Sequence, residues 1–150
     1  MKVIRDREGV LDLGEILRRP LFAHLATASE AGPRSSPVWF LWDDEAVWII
    51  GSRRDDSFPG RIERDGRCAL SIVDFDRATG RVEHVGMRGE ASIEPFDPAR
   101  AVRLLERYLG RDRSRWDERF RATLADADNV LIRFVPETAV VRDVSYSAGG

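Results

Sequence analysis

Cysteine is almost missing from the chain, since Cys68 is the only one among 150 residues. A single cysteine cannot form an intrachain disulfide or supply a thiolate metal cluster. Because Cys68 lies in the apolar run CALSIV, we expect a small buried side chain, and a reactive thiol is the weaker alternative.

Long hydrophobic runs are also missing. The run from Ala46 to Ile50 is typical of the longest ones and is far shorter than a membrane-spanning helix. Residues 1–14 carry charges where a signal peptide has an apolar stretch. We therefore expect a soluble, cytoplasmic protein with no membrane partner.

Lysine is nearly absent, because Lys2 is the only one among the 24 lysine and arginine residues. Arginine would therefore have to hold any bound anion, and its planar fork suits phosphate. Codon usage explains the same bias equally well. The net charge of −2 and the pI near 5.8 argue against a dedicated nucleic-acid-binding protein.

The length, with 43% hydrophobic and 33% charged residues, suits one domain over residues 1–150 with a hydrophobic core. Six segments have the apolar or alternating pattern of β-strands. They cover residues 22–28, 34–42, 46–51, 67–75, 82–93 and 130–144. Most are joined by turns too short for a crossover helix, which favours a mainly β antiparallel barrel over a parallel α/β sheet. We expect Gly86 and Gly89 at bulges or close approaches.

Helical segments lie before and between these strands. They cover residues 10–19 inside an N-terminal helical region 1–20, residues 59–65, and residues 98–109 and 115–125 inside a helical insertion over 96–125. The helix from residue 98 has the clearest boundaries, with Asp97 as its N-cap, Pro98 at its first position and Gly110 as its stop.

The stretch from Gly51 to Arg61 has the composition of an anion site between a strand end and a helix start. Its candidate ligands are Gly51, Ser52, Arg53, Arg54, Ser57 and Arg61. Backbone N–H groups, hydroxyls and arginine forks can together hold a phosphate. Asp55 and Asp56 leave a second interpretation open, in which the loop is a solvated, self-neutralising run of charges.

The layout LATASEAGPRSSPVWF, followed by a strand, a Ser/Arg loop and RIERDGRCAL, resembles the pyridoxamine 5′-phosphate oxidase-like FMN-binding split barrels. The similarity covers roughly residues 21–144. It implies a six-stranded antiparallel split barrel with helical additions, and a homodimer with two flavin sites at the subunit interface.

Individual positions are carried over from this resemblance. Arg34, Ser35, Ser36 and Pro37 would line the flavin, with Val38 and Trp39 continuing that wall. Gly51, Ser52 and Arg53 would approach the ribityl phosphate, with Ser57 and Arg61 in the same cluster. Phe58 stands where the family commonly has a lysine. Arg53, Arg54 or Arg61 would then have to replace that charge; otherwise FMN binds weakly, or the pocket takes a deazaflavin or haem.

The resemblance implies an FMN-dependent oxidoreductase that acts on an unidentified small molecule, in which the isoalloxazine ring supplies the redox chemistry. No catalytic residue is assigned. We do not expect pyridoxamine phosphate oxidase activity, because the C-terminal tail offers only Arg142 and Tyr146 as substrate contacts. The alternatives are a deazaflavin-dependent reductase and a non-enzymatic protein that binds or senses flavin or haem.

His24 and His84 are separated by 60 positions and have no companion ligand pattern. We therefore expect structural histidines and no metal site. If haem were bound, His84 would be the axial ligand.

Tryptophan and arginine clusters each allow two interpretations. Trp39, Trp42 and Trp48 indicate core packing, with stacking on a cofactor ring as the alternative. Eight arginines lie between Arg100 and Arg121. They indicate the solvated face of two helices, with the rim of a pocket for an anionic substrate as the alternative.

Overall fold

A computed structural model of the protein describes residues 1–6 and 11–149. These residues form eight strands, four α-helices and a short 3-10 helix, Arg113–Arg115. In chain order the elements are β1 (Lys2–Asp6), α1 (Leu13–Arg18), β2 (Ala23–Thr27), β3 (Arg34–Val38), β4 (Leu41–Asp43), β5 (Ala46–Ser52), α2 (Phe58–Arg64), β6 (Arg67–Asp76), β7 (Arg81–Glu94), α3 (Pro98–Leu109), α4 (Glu118–Thr123) and β8 (Asn129–Asp143).

The strands form one sheet whose two ends are joined by the chain itself. Its order is β3-β2-β6-β7-β8-β5-β4, with antiparallel neighbours, and β1 pairs in parallel with β8. The end strands β3 and β4 are separated by only Trp39 and Phe40. Three Cα–Cα steps span at most about 11 Å. The sheet must therefore curl round on itself, and the result is the expected mainly β barrel.

Alternation along the strands places the core inside this barrel. On β6 the buried residues Cys68, Leu70 and Ile72 alternate with Ser71 and other outward-facing residues. The burial predicted for Cys68 is confirmed, and burial raises the pKa of its thiol to about 11.

The strand count differs from the expected six at two places. The segment 34–42 bends at Trp39 and Phe40, so that it contributes one strand to each end of the sheet. The N-terminal strand β1 pairs with β8, so the helical region predicted over residues 1–20 is wrong at residues 2–6, where the ladder with β8 takes up the backbone. Helix α1 begins at Leu13, and the predicted start at Val10 lies outside the described residues.

The two glycines of β7 behave differently. The β7–β8 register shifts between Arg88 and Gly89, and a Cβ on Gly89 would lie 2.0 Å from the carbonyl oxygen of Val135. The predicted bulge and close approach are therefore confirmed at this position. Gly86 lies in regular register with open space around it, so the same prediction is wrong there.

Helices α3 and α4 pack on the outside of the barrel. The predicted boundaries of α3 are confirmed: Asp97 accepts hydrogen bonds from the Ala99 and Arg100 amides, and Gly110 ends the helix with a φ of +87°. Helix α4 is shorter than the predicted 115–125, and the 3-10 helix precedes it. In the described part of the chain, no helix is long and apolar enough to cross a membrane.

Two neighbouring side chains tie α3 to the barrel. The Arg107 guanidinium donates to the carbonyls of Leu17 (3.1 Å), Arg19 (2.8 Å) and Phe40. The Tyr108 hydroxyl accepts from the Phe40 amide (3.1 Å) and donates to the carbonyl of Leu21 (2.7 Å). These bonds hold the bend between β3 and β4, where part of the candidate site lies.

Candidate functional site

Two neighbouring cavities adjoin the start of α2. The first, the arginine cavity, has a volume of about 450 Å³ and is lined by Arg34, Arg53, Arg61 and Arg64 together with Ser29, Asp56, Ser57, Pro59 and Gly60. The second, the apolar cavity, has a volume of about 250 Å³ and is lined by Pro37, Val38, Trp39, Ile50, Phe58, Leu104, Leu105 and Phe120 together with Asp56 and Thr123. Asp56 belongs to both walls.

The arginine cavity is assembled by side-chain bonds between β2 and α2. Arg61 donates from Nε to the Thr27 hydroxyl (2.7 Å) and from its terminal nitrogen to the Ser57 hydroxyl (2.7 Å). Thr27 lies opposite Arg34 in the β2–β3 ladder, so Arg34 is brought to the same place. Because Arg61 is already fixed by these bonds, it loses little conformational freedom when an anion binds.

The charge balance of the arginine cavity is positive. Four arginines and a single carboxylate, Asp56, line it. Arg53 forms an ion pair with Glu63 (2.6 Å), and this bond lowers the pKa of that carboxyl. Among the side chains that the structure describes, no carboxylate forms an ion pair with Arg34 or Arg64, although Arg64 is close enough to Glu63 to help lower the pKa of that carboxyl. The cavity therefore presents guanidinium groups that an anion can bind.

The loop after β5 satisfies most of its own charges. Asp56 Oδ2 accepts from the Ser52 amide (2.8 Å), and the Ser52 hydroxyl accepts from the Asp55 amide (3.1 Å). Arg54 pairs with Asp126 (2.8 Å) and Asp128 (2.9 Å), which lie just before β8. The self-neutralising interpretation therefore describes Arg54 and Asp55, whereas Arg53 lines the cavity.

The predicted site residues fall into three groups. Four line the arginine cavity: Arg34, Arg53, Ser57 and Arg61. Three line the apolar cavity: Pro37, Val38 and Trp39. The remaining four line neither cavity: Ser35, Ser36, Gly51 and Ser52.

Gly51 and Phe58 form one buried contact. A Cβ on Gly51 would lie 3.1 Å from the Phe58 ring and 3.1 Å from Pro59 Cγ, so the glycine lets the start of α2 lie directly on β5. Phe58 is only 6% exposed and lines the apolar cavity. The side chain at the position of the expected lysine therefore faces the core.

Arg64 is the main cationic residue that the sequence reasoning missed. It follows Arg61 by three positions, and residues at this spacing lie on one face of a helix. Ser29 was missed as well, since it belongs to the β2–β3 turn, where its hydroxyl donates to the Gly32 carbonyl (2.6 Å). The helical spacing was a usable signal for Arg64, whereas only the fold brings Ser29 to the cavity.

Aromatic stacking fixes one wall of the apolar cavity. Trp39 stacks on Tyr108 (centroids 4.5 Å apart) and on Phe120 (5.3 Å). Trp48 is separate and buried, with its indole N–H donating to the Asp43 carbonyl and the Arg100 guanidinium 3.7 Å from its ring centroid. Core packing therefore describes Trp48, while Trp39 is a cavity wall held by aromatic partners from the same chain.

The arginine-rich insertion contributes structure to the site. Arg107 bonds to the carbonyls of Leu17, Arg19 and Phe40, far away in the sequence. Arg121 donates to the carbonyls of Arg113 and Trp116, which stabilises the segment between the 3-10 helix and α4. Among the described lining residues of the two cavities, none is an arginine from this stretch.

The histidines lie on the outer face of the sheet. His24 is opposite Pro37 and Ser71, and His84 is opposite Val73, which is 50% exposed. Neither histidine lines the arginine cavity or the apolar cavity. Over the described ranges, no group of three or more His, Cys, Asp or Glu side chains could hold a metal ion.

Known structures share this fold. An F420 reductase is 26% identical, with a TM-score of 0.65, and the match covers 89% of this chain and 98% of that one. A conserved hypothetical protein from Mycobacterium tuberculosis is 20% identical, with a TM-score of 0.71 and 97% of both chains covered. The haem storage protein HutZ from Vibrio cholerae is 16% identical, with a TM-score of 0.68, covering 89% of this chain and 93% of that one.

A comparison with curated proteins finds no match. The family model described as pyridoxamine 5′-phosphate oxidase matches residues 12–138, which include every element from α1 to β7, both exterior helices and most of β8. The chain belongs to the pyridoxamine 5′-phosphate oxidase family.

Proposed function

We propose that the protein is an oxidoreductase that binds a flavin-type cofactor by its phosphate in the arginine cavity. The observation that carries this proposal is the set of four arginines around one cavity with a single carboxylate. Two of the four, Arg34 and Arg64, form no ion pair with a carboxylate among the described side chains, and Glu63, which acts on Arg64, is already paired with Arg53. A structural cluster would be expected to neutralise its own charges, as the neighbouring Arg54 does.

Each lining residue has a role suited to phosphate. The guanidinium groups of Arg34, Arg53 and Arg61 supply planar donors, and such donors form charge-assisted bonds with phosphate oxygens. Ser57 adds a hydroxyl beside Arg61. When bound, the cofactor ring supplies the hydride or electron transfer, and the protein supplies binding and orientation.

Two cofactors are candidates. The resemblance stated from the sequence implies FMN. The F420 reductase among the similar structures favours a deazaflavin, and its 26% identity extends over 98% of that protein. Phe58 favours the same alternative, because the lysine common at FMN sites is replaced by a buried ring. Haem is the remaining alternative, and the haem storage protein among the similar structures favours it, but neither histidine lines either cavity.

The test is a parallel titration with FMN, F420 and riboflavin, after the absorption spectrum of the freshly purified protein has been recorded. Riboflavin is the matched control because it has the same ring system as FMN and lacks the phosphate. We expect FMN to bind at least about tenfold more tightly than riboflavin, the effect of about one charge-assisted hydrogen bond, and F420 to bind more tightly than FMN if the cofactor is a deazaflavin. A colourless protein whose melting temperature is raised by none of the three compounds would refute the proposal.

We also propose a homodimer. The outer face of the sheet supports it, because Val73 and Phe75 on β6 are 50% and 58% exposed, and Phe22 beside β2 is 55% exposed. Such a group of large apolar side chains is typical of an interaction surface. Light scattering should give twice the chain mass of 17.0 kDa, and Phe75→Asp should give the single-chain mass. A wild-type protein of single-chain mass at micromolar concentration would exclude the dimer.

A further inference from the structure

We infer that Glu63 is an intramolecular competitor for the arginine cavity. Its carboxylate pairs with Arg53, so it weakens the binding of a phosphate group in the cavity and speeds the release of that group. The inference rests on the proposed function, because it concerns the same cavity. It adds a residue that lies outside the cavity wall and that the sequence reasoning did not single out.

Arg53 contacts Glu63 and also lines the cavity. The Arg53 backbone amide donates to the Asp128 carbonyl (2.9 Å), which fixes the point from which its side chain extends. One terminal nitrogen of the guanidinium lies 2.6 Å from Oε1 of Glu63, which belongs to α2. Glu63 is not among the lining residues, whereas Arg53 is. One arginine therefore serves both a carboxylate of the protein and the space proposed for a phosphate.

The other charged groups of the cavity have no such competitor. Arg61 donates to two uncharged hydroxyl groups and keeps its full positive charge. Asp56 lines the cavity, but it accepts from the Ser52 amide and forms no ion pair with an arginine among the described side chains. In the part of the chain that the structure describes, Glu63 is thus the carboxylate that pairs with a cavity arginine.

The charge of Glu63 also acts on a second cavity arginine. The pKa of the Glu63 carboxyl is lowered mainly by its direct contact with Arg53 and to a smaller extent by the charge of Arg64. Both arginines line the cavity. The attraction that stabilises the carboxylate therefore reduces the positive charge that two of the four arginines offer to a ligand.

Two effects of Glu63 on a bound phosphate oppose each other. The ion pair orders Arg53, which favours binding, whereas the carboxylate repels the phosphate and occupies a donor. The side chains of Arg53 and Glu63 are 46% and 45% exposed, and exposed ion pairs order their side chains only weakly. A phosphate monoester carries about 1.5–2 negative charges near pH 7, and a nearby carboxylate repels this charge. The repulsion and the lost donor therefore outweigh the ordering.

Competition acts on release as well as on affinity. Glu63 stays within reach of Arg53, so it pairs again with the guanidinium when an arginine–phosphate bond opens. Related variants of one binding site differ mainly in their dissociation rates. We therefore expect the wild-type cavity to exchange a phosphate ligand faster than a cavity without this carboxylate.

The test compares the full-length wild type with Glu63→Gln, which keeps the size of the side chain and removes its charge. Inorganic phosphate and FMN are titrated by calorimetry, and FMN release is followed by stopped-flow fluorescence. We expect Glu63→Gln to tighten both ligands by about threefold to fivefold, the upper range for an exposed ion pair, and to slow FMN release similarly. In an Arg53→Ala background the same substitution should change both affinities by less than about twofold.

Glu15→Gln is the matched control. The Glu15 side chain is 65% exposed, pairs with Arg19 on another helix (3.0 Å) and lines neither cavity. Its substitution should leave both affinities and the release rate unchanged. Unchanged or weaker phosphate binding in Glu63→Gln, or an equal gain in Glu15→Gln, would overturn the inference.

The two ligands separate this inference from the proposed function. If Glu63→Gln tightens inorganic phosphate and no flavin binds, the competitor stands and the proposed function fails. If FMN binds to the wild type and Glu63→Gln changes neither its affinity nor its release, the proposed function stands and the competitor fails. If neither ligand binds, both fail.

Discussion

Tyr108→Phe should destabilise the protein at the bend that joins the two ends of the sheet. In the wild type the hydroxyl accepts from the Phe40 amide at 3.1 Å and donates to the Leu21 carbonyl at 2.7 Å. Removing it leaves both backbone groups without this partner, while the stacking of the ring on Trp39 is retained. The substitution therefore tests the hydrogen bonds separately from the aromatic contact.

The expected loss can be estimated from these two bonds. Phe40 is fully buried, so its amide has no route to a replacement water molecule. Unsatisfied buried backbone groups cost about 1–3 kcal/mol each; because Leu21 is half-buried, we expect a total of about 2 kcal/mol. For a chain of this length each kcal/mol lowers the melting temperature by about 2–4 °C, which gives a decrease of about 4–8 °C.

Calorimetry or thermal unfolding followed by circular dichroism would measure this decrease. Tyr146→Phe is the matched control, because Tyr146 is 54% exposed and is the other of the two tyrosines in the chain. It should change the melting temperature by less than about 1 °C, as exposed substitutions usually do. A Tyr108→Phe variant as stable as the control would refute the role assigned to the hydroxyl.

Three further predictions concern the barrel and its exterior. Gly89→Ala should destabilise by about 3 kcal/mol or more, because its Cβ would lie 2.0 Å from a β8 carbonyl oxygen, whereas Gly86→Ala on the same strand should be tolerated. Cys68 should resist iodoacetamide at pH 8 in the folded protein and react after unfolding in urea, because burial raises its pKa to about 11. Arg67→Ala should raise the pKa of Asp65, which bonds from Arg67 hold at about 2, and a carboxyl ¹³C NMR titration would measure the change.

Each of these predictions has a contrary result. Equal stability of the two glycine variants would show that the close approach at Gly89 is unimportant. Rapid alkylation of the folded protein at pH 8 would contradict the burial of the thiol. An unchanged titration of Asp65 in the Arg67 variant would show that Arg67 does not hold its pKa down.

The sequence predicted the elements whose signals are local. The alternation of apolar and polar residues predicts β6. The ends of α3 are predicted by Asp97, Pro98 and Gly110, because caps and glycine stops act on their own helix. The bend at Trp39 and Phe40 carries no such signal. It is held by Tyr108, 68 positions from Phe40, and a contact at that distance in sequence cannot be read from the strand itself.

The same limit applies to the site. The sequence predicts Arg34, Arg53 and Arg61 as site residues, and the fold brings them to one cavity. Position in the sequence did not indicate which way Gly51 and Phe58 face, because that depends on how closely α2 packs on β5. Their contact places the ring in the core and leaves the positive charge of the cavity to arginines, including Arg64.

The central claim is that the arginine cavity binds the phosphate of a flavin-type cofactor. The most direct test measures two dissociation constants, one for the better-binding phosphorylated cofactor and one for riboflavin. Both are measured for the wild type, Arg34→Ala, Arg53→Ala and His84→Ala. Both arginine variants should weaken the phosphorylated cofactor by about tenfold or more and leave riboflavin unchanged, since each removes a charge-assisted bond to phosphate. His84→Ala should change neither constant. Unchanged affinity for the phosphorylated cofactor in both arginine variants would contradict the claim.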